Sequence, residues 1–406
     1  MKNIFIIDEY ASSKSNGIGT YIRELTYCLR KMNVNITLVS FNYDIERFTI
    51  VSEDNLTKLL FPKMRGFCFS HYKIITYFLK LYIEDSPDNL FLVNHSPCGD
   101  FLKSLKRSFP LSKSAFVIHD MGWTFSLLGD TARLEEEVSS KHSKRVIDVY
   151  DDVVKFYEEE QQMYKAVDKV IVLAKETERL LKKVYLVDDR KMYFAPNGLR
   201  DSYMKLNKNE IKRLKSEFHI SENEKIILYA GRVNKIKGIY QLINCFKKVL
   251  EHVPNSRLVI IGTLFEPIDT LKHSSEVAAK ITYTGQIASE RVKKWYQIAD
   301  IGILPSFVEQ CSYTGIEMLM YGLPIVASDG FCMGDMFIDD KNAKVARIGD
   351  RNDSVEFENN LLEALLKLLK SDDLCKKIGQ NSRKIYKSRY QIRHMEKVYQ
   401  TLLDSL

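Results

Sequence analysis

The sequence predicts an α/β protein with two parallel β-sheets, each covered by helices. Short apolar runs recur along the whole chain, and a segment of helical period follows each of them. This alternation is typical of parallel strands joined by helical crossovers. The length of 406 residues is too great for one ordinary core, so we expect two domains of about 200 residues each.

The predicted strands fall into two sets of about six. The apolar runs of the first set are at residues 4–7, 36–39, 90–93, 116–118, 170–173 and 192–194. Those of the second set are at residues 226–229, 258–261, 281–283, 301–304, 324–327 and 344–348. A polar, lysine-rich segment separates the sets and begins at residue 201. We therefore predict domains over residues 1–200 and 201–389, followed by a C-terminal helix within residues 390–406.

Composition restricts the class of protein. The 45% hydrophobic and 28% charged content is typical of a soluble globular chain. A net charge of +7 suits a phosphorylated ligand or an anionic membrane surface and does not indicate a nucleic-acid partner. Seven cysteines without a C-x-x-C pair argue against a disulfide scaffold and a zinc site. Without a signal peptide or a long apolar segment, the sequence predicts a cytoplasmic protein.

Two segments interrupt the alternation. Residues 56–85 are aromatic and basic, and two interpretations stay open for them. The segment either binds an acceptor or a membrane surface, or forms an amphipathic helix docked on the sheet with its lysines in solvent. Residues 132–165 are strongly charged and predict one or two surface helices without a chemical role.

Two glutamates follow the apolar run 301–304. Glu309 and Glu317 lie eight residues apart, close to two helical turns, so a helix starting between them brings both carboxylates to one pocket. The backbone N–H groups of Ser312, Tyr313 and Thr314 are then the unpaired donors of a helix start, which can receive a phosphate. This segment predicts a nucleotide site.

A second candidate segment follows the strand at 226–229. Gly231 and Arg232 come directly after the strand, and Lys237 precedes the next predicted helix. Arginine grips phosphate with two N–H donors and lysine adds a mobile charge, so this loop is able to hold a diphosphate. The alternative is an ordinary solvated loop that happens to contain lysines.

Two weaker signals lie in the first half. Gly17 and Gly19 form a glycine turn before a helix. Such a turn either lets the backbone approach an anion or needs glycine only for its backbone conformation. His119 closes the strand at 116–118, at the edge where open α/β sheets bind ligands. It is a hydrogen-bonding partner, a general acid or base, or a structural histidine.

The ordered set of motifs resembles retaining glycosyltransferases of the GT-B fold, similar to glycosyltransferase family 4. Beyond the residues above, the resemblance rests on segments at residues 172–177, 196–198, 283–285, 299–300, 304–306 and 321–324. It implies two Rossmann-like domains facing a cleft, with the nucleotide-sugar mainly on the second and the acceptor mainly on the first. It also implies that the C-terminal helix crosses back to the first domain.

The resemblance also implies roles for single residues. Arg232 and Lys237 hold the diphosphate, with help from Gly17, Gly19, Gly231 and the amides of residues 312–314. Glu317 holds the ribose, Glu309 contacts the sugar, Gln286 and Ile287 border the base, and His119 touches the sugar or the acceptor. Catalysis then rests on stabilising the leaving diphosphate. No D-x-D pair is present, so protein cations take the place of a metal, and no cofactor is expected.

The expected reaction is transfer from a nucleotide-sugar, UDP- or GDP-linked, to a glycan, a lipid-linked glycan or a protein. A peripheral contact with the inner face of the membrane fits a lipid-linked acceptor. Alternatives are a nucleotide-sugar epimerase of the same fold and a catalytically silent partner of another transferase. This chain departs from the family at Cys311 and Ser312, where phenylalanine and glycine are usual, and across residues 328–335.

Overall fold

The computed structural model describes residues 1–9, 16–63, 70–94, 99–140, 151–265 and 267–405. The chain divides into two compact units. Unit 1 comprises Met1–Leu127, Thr131–Gly198 and Ile392–Leu406, and unit 2 comprises Leu128–Asp130 and Leu199–Gln391. Each unit has its own sheet with helices packed around it, so the predicted α/β class is confirmed.

The sheet of unit 1 has eight strands in the order β3-β4-β2-β1-β5-β6-β7-β8. The strands are β1 (Lys2–Glu9), β2 (Val34–Tyr43), β3 (Thr49–Glu53), β4 (Leu56–Pro62), β5 (Asn89–Val93), β6 (Lys113–Ile118), β7 (Lys169–Val172) and β8 (Met192–Phe194). All neighbouring pairs are parallel except β3 and β4, which run antiparallel. The edge strand β3 and its neighbour β4 were not predicted.

The helices of unit 1 include the last helix of the chain. They are α1 (Gly17–Leu29), α2 (Ser70–Leu79), α3 (Gly99–Ser108), α4 (Trp123–Leu127), α5 (Thr131–Ser140), α6 (Asp151–Ala166), α7 (Lys175–Lys183) and α15 (Ile392–Asp404). Helix α15 packs against α1, and the buried hydroxyls of Tyr21 and Tyr399 share a hydrogen bond there. The predicted return of the C-terminal helix to the first half of the chain is confirmed.

The sheet of unit 2 has six parallel strands in the order β11-β10-β9-β12-β13-β14. They are β9 (Lys225–Ala230), β10 (Ser256–Ile261), β11 (Ile281–Gly285), β12 (Ile301–Leu304), β13 (Ile325–Ser328) and β14 (Lys344–Ala346). The helices of the unit are α8 (Lys208–Glu217), α9 (Ile239–His252), α10 (Pro267–Ser274), α11 (Ser289–Ile298), α12 (Tyr313–Tyr321), α13 (Ser354–Leu369) and α14 (Asp372–Ile385).

The strand order of unit 2 reverses between β9 and β12. From β9 the chain moves to β10 on one side, whereas β12 pairs with β9 on the other side, with Ile301 opposite Ile227. Loops that leave the carboxyl ends of two such strands separate and open a crevice, which is where ligands bind in open α/β sheets. This switch point positions the candidate site.

The two irregular segments differ from the predictions. One of the two open interpretations of residues 56–85 was an amphipathic helix docked on the sheet, but their first part is strand β4, next to the sheet edge, and of the described residues in this segment only α2 is helical. The aromatic and basic residues at 64–69 lie outside the described residues. In the segment 132–165, helices α5 and α6 match the predicted helices, and residues 141–150 lie outside the described residues. Glu160 of α6 is fully buried, so α6 is not purely a surface helix.

Candidate functional site

The loop after β9 is folded tightly against the loop after β12. Gly238 has a φ of +67°, and a Cβ atom there would lie 2.0 Å from the carbonyl oxygen of Pro305. The backbone N–H of Phe307 also donates to Ile236 O at 2.9 Å. Only glycine allows this approach, because it lacks the Cβ atom and adopts positive φ at low cost. The approach brings the cationic loop to the segment that carries Glu309.

Lys237 and Glu309 form an ion pair across these loops. The Nζ of Lys237 lies 2.7 Å from Glu309 Oε1 and donates to Val308 O at 3.2 Å. Ser306 Oγ donates to the same carboxylate oxygen at 3.1 Å. The two charged side chains are only 14% and 16% exposed, and such partial burial strengthens a charge pair relative to one in open water. The structure thus joins two residues that the sequence predicted separately, and it adds Ser306.

Arg232 extends from the same loop into solvent. Its backbone carbonyl accepts a 2.5 Å hydrogen bond from the hydroxyl of Tyr229, which is buried under the loop. Burial raises the pKa of Tyr229, and the charge of Glu309 raises it further while Arg232 opposes the change. The guanidinium makes no ion pair with any of the residues that the structure describes. Its donors therefore face outward beside the Lys237–Glu309 pair.

Helix α12 begins at the same edge. The N-cap residue is Ser312, and its Oγ accepts from the N–H of Gly315 at 3.2 Å. Ser312 stands where the family usually has glycine, and its side chain caps the start of the helix. The amides of Ser312, Tyr313 and Thr314 stand at the positive end of the helix, as expected for an anion site.

Glu317 lies in α12 and is contacted by a tyrosine of the neighbouring helix. Its Oε2 accepts a 2.8 Å hydrogen bond from the hydroxyl of Tyr296 in α11. Burial raises the pKa of Tyr296 well above its usual value, and the neighbouring Glu317 charge adds to the rise. Tyr296 was not predicted, because nothing in its local sequence distinguishes it from an ordinary core tyrosine.

Gln286 and Ile287 follow β11, at the outer side of the same strand ends. The side chain of Gln286 is exposed, and its Oε1 accepts from Thr263 Oγ1 at 3.4 Å. Thr263 follows β10 and was not predicted. The role of Gln286 and Ile287 at the border of the base stays a prediction.

His119 belongs to unit 1 and stands just beyond β6. Its Nε2 lies 3.1 Å from Oδ1 of Asn94, the residue after β5, and its ring packs edge-on to Tyr21 at 4.7 Å between centroids. Burial lowers the pKa of His119 to about 3. The ring is therefore neutral at pH 7, and the Asn94 contact favours a proton on Nε2. Asn94 was not predicted.

Gly17 and Gly19 lie in the first turn of α1, not in a turn before it. The N-cap is Asn16, whose Oδ1 accepts from Ile18 N at 2.8 Å. The prediction of a glycine turn before the helix is wrong in this respect, because the helix that Asn16 caps already begins at Gly17.

Among the described residues, no group of His, Cys, Asp or Glu side chains is arranged to hold a metal ion. No described helix is both long and apolar enough to cross a bilayer.

The architecture of the two units is the GT-B fold. Sucrose-phosphate synthase of Thermosynechococcus elongatus matches with a TM-score of 0.77 over 100% of both chains, at 17% identity. The Anabaena protein Alr3699/HepE, solved in complex with UDP-glucose, matches with a TM-score of 0.72 over 100% of both chains, at 12% identity.

Residues 210–385 match the family model of glycosyl transferases group 1, which confirms the resemblance predicted from the motifs. An uncharacterized glycosyltransferase of Methanocaldococcus jannaschii is 26% identical over 39% of this chain and 42% of its own length. The alpha-monoglucosyldiacylglycerol synthase of Acholeplasma laidlawii is 25% identical over 55% of this chain and 56% of its own length. The chain thus spans about half the length of these curated relatives. The family match covers the crevice of unit 2 but not His119, Gly17 or Gly19.

Proposed function

We propose that the protein is a glycosyltransferase that moves a sugar from a nucleotide-sugar donor to an acceptor hydroxyl. The observation that carries the proposal is the crevice between β9 and β12. There the outward-facing Arg232, the Lys237–Glu309 pair and the N-terminus of α12 converge. The match to glycosyl transferases group 1 falls on this same region.

The chemistry follows from the charges. When the bond between sugar and diphosphate breaks, negative charge grows on the leaving oxygen. We assign the stabilisation of that charge to Arg232, Lys237 and the amides of residues 312–314. Lys237 is held by Glu309 before the donor binds, so a diphosphate competes with the carboxylate for the ammonium group. Glu309 then becomes available to accept a hydrogen bond from a sugar hydroxyl.

Ribose and base are assigned to neighbouring positions. We assign the ribose hydroxyls to Glu317, whose orientation is set by Tyr296, and the edge of the base to Gln286 and Ile287. A UDP-linked donor is favoured because Alr3699/HepE, which shares the fold, was solved with UDP-glucose. We further propose retention of the anomeric configuration and independence of metal and cofactor. Arg232 and Lys237 then stabilise the leaving diphosphate in place of a bound metal.

The matched pair Arg232→Ala and Lys235→Ala tests the proposal. Both residues lie in the same loop and both are exposed. Loss of the Arg232 guanidinium should lower transfer about 100-fold or more, since it removes charge stabilisation of the leaving group, whereas Lys235→Ala should keep near-native rates. Sugar transfer is measured by product mass spectrometry and anomeric NMR, with and without EDTA.

Equal rates for the two variants would refute the assigned site. Turnover of the donor without any acceptor would indicate an epimerase, and complete inhibition by EDTA would contradict metal independence. Thermal-shift screening against UDP- and GDP-sugars identifies the donor, because a ligand that binds the native state raises the melting temperature.

We also propose that the acceptor is lipid-linked and that unit 1 contacts an anionic membrane surface. On and just after α2, the apolar side chains of Ile74, Tyr77 and Leu81 are 54%, 56% and 72% exposed. Lys73, directly before Ile74, and Lys80, directly before Leu81, are also exposed. An apolar stripe with flanking cations suits the interface of an anionic bilayer. One relative is named for the synthesis of a glycolipid, which supports this choice of acceptor.

Vesicle flotation tests this contact. The protein should float with vesicles containing phosphatidylglycerol and stay at the bottom with pure phosphatidylcholine. Leu81→Ser should weaken flotation several-fold, whereas Ile50→Ser, at another exposed apolar position of unit 1, should not. Equal flotation of both variants would show that α2 is not the membrane surface.

A further inference from the structure

Glu160 of α6 is a buried carboxylate that none of the proposed catalytic steps uses. It lies in the charged segment that the sequence assigned to the surface, yet its exposure is 0%. Each oxygen accepts one short hydrogen bond. Oε1 accepts from the backbone N–H of Gly122 at 2.6 Å, and Oε2 accepts from the hydroxyl of Tyr185 at 2.5 Å.

The two donors belong to different parts of unit 1. Gly122 ends the loop 119–122, which begins with His119 and joins β6 to α4, whereas Tyr185 follows α7. The loop is pressed against α6, since a Cβ atom at Gly122 would lie 2.5 Å from the ring of Phe156. The Glu160 carboxylate therefore ties the loop that carries His119 to the body of the unit.

The titratable groups that act most strongly on the carboxylate are acids and phenols. Asp120 of the loop and Glu159 of α6 add negative charge, and Tyr164 and Tyr185 face it with neutral hydroxyls. No ion pair of Glu160 occurs within the part of the chain that the structure describes. Burial raises the pKa of Glu160 to about 7, although the bonds from Tyr185 and Gly122 oppose the change.

The two protonation states hold the loop differently. An ionised carboxylate accepts from both donors, and such charge-assisted hydrogen bonds are roughly twice as strong as neutral ones. A protonated carboxyl keeps the Gly122 bond only if its proton lies on Oε2 and Tyr185 turns to accept it. The remaining bond to Gly122 is then a neutral one.

We propose that the ionised Glu160 carboxylate is a positioning residue that holds the loop 119–122, and with it His119, in its working place. It acts on the backbone of the loop and does not touch a substrate. Its consequence for catalysis rests on the proposed transferase function, but its effect on the loop does not.

Hydrogen–deuterium exchange tests the effect on the loop directly. An opening of the loop that leaves Glu160 buried breaks only the Gly122 bond, which is stronger when the carboxylate is ionised. In the wild-type protein, the protection factor of the segment containing Gly122, corrected for intrinsic exchange, should therefore rise about tenfold between pH 6 and pH 8. In Glu160→Gln the factor should be low and independent of pH, since the amide side chain cannot ionise. Glu159→Gln, at an exposed neighbouring position of the same helix, should keep the rise and move it to lower pH, because it removes a charge that raises the pKa of Glu160.

A second variant tests the proposal if Glu160→Gln does not fold. Tyr185→Phe removes one donor from the ionised form, so the rise in protection should move to higher pH. Protection that does not change with pH in the wild type, or the same rise in Glu160→Gln, would overturn the proposal. Where transfer is measurable, Glu160→Gln should lose the acidic limb of the kcat profile and keep its affinity for UDP. Altered loop protection without any transfer would uphold the positioning role and reject the transferase.

Discussion

Glu309 and Glu317 were predicted as two acceptors in one pocket, and each turns out to have its own partner. Lys237 and Ser306 hold Glu309, while Tyr296 holds Glu317. The separation suits two tasks. A carboxylate paired with a lysine responds when a diphosphate arrives, whereas one fixed by a buried tyrosine offers a constant acceptor for hydroxyl groups.

His119 makes the stability of unit 1 depend on pH. Its pKa in the folded state is about 3, below the usual value of about 6.5 for an unfolded chain. The unfolded state therefore binds the proton first as pH falls. The stability contributed by the neutral ring is complete above pH 6.5 and is lost progressively towards pH 3.

We predict that this loss disappears in His119→Asn. Between pH 7.5 and pH 5, the free energy of unfolding of the wild type should fall by about 2 kcal/mol more than that of the variant. Urea denaturation at each pH measures the difference, and the opposing effect of Glu160 cancels because both proteins contain it. His252→Asn, at an exposed position, is the control. Parallel pH profiles for His119→Asn and the wild type would contradict the low pKa.

At the scale of elements, the site depends on how closely two loops approach each other. The loop after β9 can approach the loop after β12 this closely because residue 238 is glycine, since a side chain there would overlap Pro305. Sequence periodicity predicts the strands on either side, but it carries no information about the distance between loops from different strands.

Gly238→Ala should therefore cost about 2 to 4 kcal/mol of stability, from the positive φ and the overlap together. It should also weaken UDP binding, because relief of the overlap moves the Lys237 loop away from Glu309. Gly334→Ala is the matched control, since nothing lies within 4 Å of a Cβ atom there. Urea denaturation and calorimetric titration measure the two effects, and equal values for both variants would rule out the close approach.

The missed strands β3 and β4 have a related explanation. Strand β3 is almost wholly exposed, and β4 mixes buried and half-exposed positions. Strands at or next to a sheet edge that faces solvent do not form the continuous apolar runs that identify central parallel strands. The second sheet has no such antiparallel edge pair, and its six strands were all predicted.

At the scale of the whole molecule, the two units differ in their similarity to known families. The family match lies entirely within unit 2, which contains the proposed donor residues other than Gly17 and Gly19. Unit 1 contains His119, Glu160 and the exposed stripe beside α2. Family and geometry together support the proposed donor residues of unit 2, whereas geometry and surface chemistry support the proposed roles of unit 1.

The sequence by itself determined the alternation of strands and helices, the two-part organisation and the loops that carry Arg232, Lys237 and Glu309. These follow from local periodicity and from motifs of a few residues. Only the tertiary structure decided that Lys237 meets Glu309 across 72 residues and that Glu160 is buried under the loop of His119. The physical reason is that pairing and burial depend on packing between distant segments, which no local pattern encodes.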